Sequence, residues 1–225
     1  MKIRIYIIES LIIILIASCS IDNYDMPNAT LSGKVLDNVT NEMVQNGGVN
    51  SGTIIQMFEG NSIQPILSYS YPDGHFTNAA LFTGTYKLFA VGAFRFVDDT
   101  MKITVTSSTT VEVKVLPNVR LKVTLVSVSS DGTTATVNVE YTRVHSDEVL
   151  NQLAVIWSTI DNPNMYTYFG GNQTTETVSS QNLTTGEKTY TISGLNAGTK
   201  YFIRAAGRTN AAGNYYNYSA TIKTP

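Results

Sequence analysis

Few residues in this sequence have the types and spacing that catalysis requires. The two histidines, His75 and His145, fall in different predicted domains, so they do not assemble a zinc centre or a Ser-His-Asp triad. The carboxylate pairs Asp98–Asp99 and Asp147–Glu148 are adjacent in sequence, and neighbours on a strand point to opposite faces. Glycoside hydrolysis needs two carboxyl groups facing one bond. The sequence therefore predicts no enzyme, no catalytic residue, no metal site and no cofactor.

Aromatic residues beside asparagines are the better candidates for a binding site. Rings can stack on the apolar face of a sugar, and amides can bind its hydroxyls. The candidate ligand-binding residues are Tyr166, Tyr168, Asn214, Tyr215, Tyr216 and Asn217. We expect Tyr166 and Tyr168 to share one face of a strand over 166–169, and residues 214–217 to follow a turn. Two alternatives remain open: exposed rings also mark protein contacts, and alternate tyrosines often pack across strands.

The elements that position these residues are predicted to be strands throughout. Only 14% of the residues are charged, and the formal net charge of −2 does not favour nucleic acid. Alternating apolar residues recur between Gly, Asn and Pro turns, whereas the 3.6-residue period of a helix is absent after residue 20. Among the predicted strands, Thr100–Thr106 and Thr109–Leu116 are expected to form an antiparallel pair. Pro117 marks the expected domain boundary, which predicts domains over 29–117 and 118–225.

The N-terminus predicts an exported, lipid-anchored protein. Lys2 and Arg4 precede an apolar run over 11–16, and small residues lead to Cys19, the only cysteine. Glu9 interrupts the run, which disfavours a membrane-spanning helix of about 20 apolar residues. The segment Ile16–Cys19 resembles the lipobox of bacterial lipoproteins. This resemblance implies a signal peptide over 1–18, lipidation of Cys19 by acyl chains such as palmitate, and a tether over 19–28 that attaches the protein to the membrane.

Two further resemblances cover the rest of the chain. The segments Leu31–Asp37, Thr40–Val44, Tyr71–Phe76 and Leu81–Leu88 resemble the transthyretin-like, carboxypeptidase-regulatory-like sandwich, with Phe76 and Tyr86 in its core. The segment Leu195–Gly207 resembles the corner and following strand of a fibronectin type III domain. In that corner, the Tyr201 hydroxyl would bond upstream backbone, and Trp157 would pack in the core. The fold class expected is all-β, with two consecutive antiparallel β-sandwich domains after a lipoprotein signal peptide.

The order of lipobox, tether and two sandwiches resembles the DUF3823 lipoproteins of Bacteroidetes. The resemblance implies a partnership with SusC/SusD-type glycan uptake systems, which members tend to be encoded beside. We therefore expect a non-catalytic outer-membrane lipoprotein that binds polysaccharide or supports such a complex, on the cell surface or on the periplasmic face. The alternative is a structural adaptor or spacer that makes protein contacts only.

Overall fold

The computed structural model describes residues 25–48, 51–98, 100–166, 172–178 and 183–225. Its regular elements are strands, and no helix occurs in these ranges, so the predicted all-β class is confirmed. The signal peptide, Cys19 and Tyr168 lie outside the described residues. The first eight strands are β1 (Ala29–Asp37), β2 (Ile54–Glu59), β3 (Ile66–Tyr69), β4 (His75–Leu81), β5 (Gly84–Val91), β6 (Phe94–Phe96), β7 (Met101–Val105) and β8 (Ser108–Pro117). They are followed by β9 (Val119–Val128), β10 (Thr134–Arg143), β11 (Leu150–Ser158), β12 (Asn172–Thr177), β13 (Thr185–Ser193), β14 (Phe202–Thr209), β15 (Asn217–Tyr218) and β16 (Ile222–Lys223).

Strands β1–β8 form the N-terminal sandwich, whose two sheets have the orders β4-β1-β8-β6 and β3-β2-β5-β7. Each strand turns alternate residues inward, because side chains on a strand have a period of two. In β5, for example, Tyr86, Leu88 and Ala90 are buried, whereas Thr85 and Lys87 are exposed. The inward residues of both sheets, with Phe76 from β4, form one continuous hydrophobic core.

Strands β7 and β8 do not form the antiparallel pair that the sequence predicts. β7 pairs with β5 in one sheet, and β8 pairs with β1 and β6 in the other. The Thr109 hydroxyl accepts a hydrogen bond from the Thr106 backbone N–H at 3.0 Å, and the chain crosses between sheets at this tight connection. β1 and β8 run parallel, whereas the other paired strands described here are antiparallel.

Strands β9–β16 form the C-terminal sandwich, in which the sheet β13-β10-β9 faces a sheet of order β12-β11-β14-β15, with β16 also paired to β14. Trp157 packs in the core between these sheets. The Tyr201 hydroxyl accepts a hydrogen bond from the Asn196 backbone N–H at 3.2 Å, which is the upstream bond predicted for this tyrosine. Residues 219–221 separate the two short strands β15 and β16.

Arginines connect the two sandwiches. Arg120 of β9 donates to both carboxylate oxygens of Asp37 at the end of β1. Burial of Asp37 acts to raise its pKa, but the hydrogen bonds from Arg120 and from the Val39 backbone outweigh this effect, so the pKa is lowered. Arg204 of β14 donates to the Asn46 carbonyl at 3.1 Å. These contacts fix one sandwich against the other through charged, hydrogen-bonded groups.

Candidate functional site

The outer face of the sheet β12-β11-β14-β15 collects the most distinctive polar and aromatic residues. Its strand register places Gln152 opposite Arg208, and Ala206 opposite Tyr218. Residues two apart share a face, so Tyr216 continues the row of Gln152 and Arg208. We call this surface the tyrosine face, and its members are Gln152, Tyr166, Arg204, Arg208, Asn214, Tyr216 and Tyr218.

Tyr166 is the exposed ring of the tyrosine face. Its relative exposure is 56%, although its ring meets the Tyr216 ring edge-on at 6.1 Å and an angle of 77°. Its hydroxyl donates to the Asn214 carbonyl at 3.3 Å. Tyr216 is itself buried, and its hydroxyl donates to the Gln152 side-chain oxygen. The exposed ring is therefore supported from one side and from its hydroxyl end while its other surface contacts solvent.

Tyr218 holds the loop after β11 onto the same face. The Met165 backbone N–H donates to the Tyr218 hydroxyl at 3.1 Å, directly before Tyr166. The Arg204 guanidinium lies over the Tyr218 ring, 4.6 Å from its centroid. Burial raises the pKa of Tyr218 and lowers that of Arg204 to about 10. Tyr218 and Arg204 are thus buried residues that support the segment carrying the exposed ring of Tyr166.

Four of the predicted binding residues lie in or beside this surface, but they differ in accessibility. Tyr166 and Asn214 are exposed, Tyr215 is half-buried and Tyr216 is buried. Asn214 has a φ of +53°, which asparagine tolerates better than most residues do. In the structure Tyr166 contacts both Asn214 and Tyr216.

Two predictions about these residues are wrong. Tyr166 lies in a bend, not in a strand, because the Asn164 side chain accepts a hydrogen bond from the Tyr166 N–H at 2.8 Å and closes a local turn. Asn217 is buried, and its side-chain oxygen accepts from the Val119 N–H at 2.8 Å. Asn217 therefore joins the last strands to the start of β9 and is not free to bind a ligand.

Gln152, Arg204 and Arg208 belong to the site but were not predicted. The alternation of inward and outward residues along β14 could have identified the two arginines. Ile203 and Ala205 point to the core, which puts Arg204 and Arg208 on the opposite, outer face of the strand. An arginine at every fourth position of a strand whose other face is apolar indicates a cationic row on the sheet.

Both histidines are engaged in structural contacts. His75 is exposed, stacks on Tyr71 and contacts the Asp73 carboxylate. His145 is buried and donates from Nε2 to the Leu116 carbonyl at 3.2 Å. Within the ranges that the structure describes, no three His, Cys, Asp or Glu side chains group together as metal ligands would.

The pair Asp147–Glu148 serves as an ion-pair partner for the other sandwich. Both carboxylates accept from Arg95 Nη2, at 2.8 and 2.9 Å. Glu148 is buried, and it also accepts from the Thr209 hydroxyl at 2.6 Å. Because both carboxylates bind the Arg95 guanidinium, their closeness is explained by an ion pair.

A groove of about 350 Å³ lies between the sandwiches. Its charged lining includes Asp37 and Arg120, which bind each other. Its floor includes Tyr218 and Val119. The groove has the size of a small-molecule site, but its strongest polar groups already satisfy one another.

The molecule is thus an all-β protein of two joined sandwiches, with an exposed Tyr166 and a half-buried Arg208 on the outer face of one sheet. Residues 29–116 match the sequence model of a domain family described as "Protein of unknown function (DUF3823) N-terminal domain". The N-terminal sandwich therefore matches the DUF3823 family, which confirms the resemblance seen in its sequence. No curated protein matches this sequence.

Solved structures share the whole arrangement. A DUF3823 family protein from Parabacteroides merdae has a TM-score of 0.73 at 18% identity, over 89% of this chain and 100% of the other. A second, from Bacteroides uniformis, has a TM-score of 0.72 at 20% identity, over 88% and 99% of the chains. A Bacteroides uniformis protein described as a "putative carbohydrate binding protein" has a TM-score of 0.68 at 17% identity, over 88% and 99%. At these identities the likeness shows a shared fold.

Proposed function

We propose that this protein is a non-catalytic glycan-binding lipoprotein of the outer membrane, and that it captures saccharide on the tyrosine face. The observation that carries the proposal is the exposed ring of Tyr166, which is supported by the Tyr216 ring and by a hydrogen bond to the backbone carbonyl of the exposed Asn214. A rigid aromatic surface flanked by amides binds a sugar ring with little loss of conformational entropy.

The support for Tyr166 distinguishes it from an incidental surface tyrosine. A freely rotating ring loses rotamer entropy when a ligand orders it. Tyr166 is already ordered by its hydroxyl bond to Asn214 and by its contact with Tyr216. The shared fold with a protein described as a "putative carbohydrate binding protein" supports the same function.

The anchor and the partners complete the proposal. The signal peptide over 1–18 and the lipobox cysteine, Cys19, would attach the protein to the outer membrane through acyl chains. The sandwiches would then hold the tyrosine face at the cell surface, or at the periplasmic face, beside a SusC/SusD-type uptake complex. In the described ranges, no helix is long and apolar enough to span a membrane.

The proposal is tested by affinity electrophoresis and a glycan array with the full-length protein in detergent. We expect Tyr166→Ala to weaken retardation by the bound polysaccharide about fivefold, because one stacked ring contributes about 1 kcal/mol. Tyr166→Phe keeps the ring, and should lose much less. Tyr71→Ala is the matched control, since Tyr71 is a similarly exposed tyrosine on the N-terminal sandwich. If no polysaccharide binds, or if the two alanine variants behave alike, glycan capture at this face is refuted.

A second candidate is a spacer that holds other proteins away from the membrane. The arginine contacts that join the sandwiches favour it, because a spacer must keep a fixed geometry between its ends. Copurification of a transporter from native membranes, together with no measurable affinity for sugar, would favour this function over glycan capture.

A further inference from the structure

Arg208 occupies the centre of the tyrosine face. It lies between Gln152 of β11 and Tyr216, and its guanidinium carbon is 5.3 Å from the centroid of the Tyr216 ring. The side chain is half-buried, and its Nε is fully buried without a hydrogen-bond acceptor. No carboxylate pairs with Arg208 in the part of the chain that the structure describes.

The other arginines in the described ranges are held differently. Arg95 and Arg120 bind carboxylates, and Arg143 and Arg204 donate to backbone carbonyls. Arg208 donates no such bond there, although its guanidinium carries five N–H donors. A half-buried cation without acceptors is unfavourable, because it has lost part of its hydration and gained no partner in exchange.

The contact with Tyr216 does not satisfy these donors. A ring interacts with the flat face of a guanidinium, whereas the N–H groups point outward in the guanidinium plane. The cation–π contact with Tyr216 therefore helps to hold Arg208 in place without supplying an acceptor for its N–H groups. The fork of two parallel N–H bonds matches the two oxygens of a carboxylate or a sulfate.

We propose that the tyrosine face selects saccharides that carry an oxyanion, either the carboxylate of a uronic acid or a sulfate ester, and that Arg208 binds this group. The inference rests on the proposed glycan binding and adds the class of sugar. The Tyr166 ring takes the apolar face of the sugar, and Arg208 donates two hydrogen bonds to its oxyanion. Selection depends on this local fork, since the whole chain carries a net charge of −2 and does not attract polyanions in general.

The test compares matched polymers with the full-length protein in detergent. The probes are polygalacturonate with its methyl ester, chondroitin sulfate with chondroitin, and neutral xyloglucan. We expect at least one acidic polymer to bind about tenfold more tightly than its neutralised counterpart. Loss on methylation identifies a carboxylate, whereas loss on desulfation identifies a sulfate. Arg208→Gln should abolish the preference, so that the acidic polymer binds no more tightly than its neutralised counterpart.

Two variants keep the result interpretable. Arg208→Lys retains the charge without the fork, so it should recover only part of the preference. Lys122→Gln removes the same charge from the opposite sheet, where Lys122 is exposed, and it should leave the preference intact. Melting temperatures of all variants establish that they fold.

Each other outcome overturns a defined part of the proposal. If neutral polymers bind through Tyr166 and no acidic polymer is preferred, glycan binding stands and the role of Arg208 is refuted. An equal loss in Lys122→Gln and Arg208→Gln would also refute it, since the attraction would then be diffuse charge. If no polymer in the set binds, the proposed function and this inference are refuted together.

Discussion

Replacing Arg120 by methionine would leave the Asp37 carboxylate buried without its cation. The Asp37 side chain is only 5% exposed and receives two hydrogen bonds from Arg120 across the sandwich junction. Removing one partner of a buried pair costs about 3–5 kcal/mol. Because the Arg120 side chain is 28% exposed, water can rehydrate the site, and we expect a loss of about 2–3 kcal/mol. For a chain of this length the melting temperature should fall by about 5–10 °C.

The assay is thermal and urea unfolding followed by circular dichroism. Lys122→Met is the matched control in the same strand, because Lys122 makes an exposed ion pair with Glu140 and should cost less than about 1 kcal/mol. Combining Arg120→Met with Asp37→Asn removes the uncompensated charge and should recover part of the loss. An Arg120→Met variant as stable as the control would refute the conclusion that this pair stabilises the junction.

The same pair predicts a dependence on pH. The pKa of Asp37 is lower in the folded protein than its ordinary value of 3.8, so the folded state binds fewer protons than the unfolded state. Its contribution is complete above the unfolded pKa and is lost as the pH falls through the folded pKa. Wild-type stability should therefore decline below about pH 4 more steeply than that of Asp37→Asn. Parallel curves for the two proteins would contradict the lowered pKa.

Two further predictions concern the core and the anchor. A Cβ at Gly33 would lie 2.5 Å from the Phe76 ring, so Gly33→Ala should destabilise the protein by about 1–3 kcal/mol in urea unfolding. Gly84→Ala is its control, since a Cβ there meets no atom closer than 3.9 Å, and equal losses would contradict the packing argument. Cys19→Ala should abolish incorporation of labelled palmitate and release the protein from membranes, and a variant that remained labelled would refute lipidation at this residue.

Much of the strand pattern could be predicted because it depends on alternation. Strand β5 follows this rule, since Tyr86, Leu88 and Ala90 bury every second residue between turn residues. Strand β6 was missed because three residues are too few to show a period. The sheet change between β7 and β8 was missed because alternation indicates which residues point inward but not which strand lies alongside.

The site was only partly predictable for a related reason. The sequence identified Tyr166 and Asn214 as candidate sugar-binding residues, but it did not predict that the Asn164 side chain would close a turn at Tyr166, where a strand was expected to begin. Asn217 resembled Asn214 in type and setting. The two differ because Asn217 accepts the Val119 N–H, a bond that depends on how distant segments meet.

That bond has a consequence for the order in which the protein folds during synthesis. The strands described for the N-terminal sandwich all precede residue 118, so this sandwich can fold before the later residues take part. The N–H of Val119 must wait for Asn217, which lies 98 positions later in the chain. The linkage between the halves is therefore completed by the last strands to be made. A chain truncated before Asn217 could still form the N-terminal sandwich, but it would lack the hydrogen bond from the Val119 N–H to Asn217.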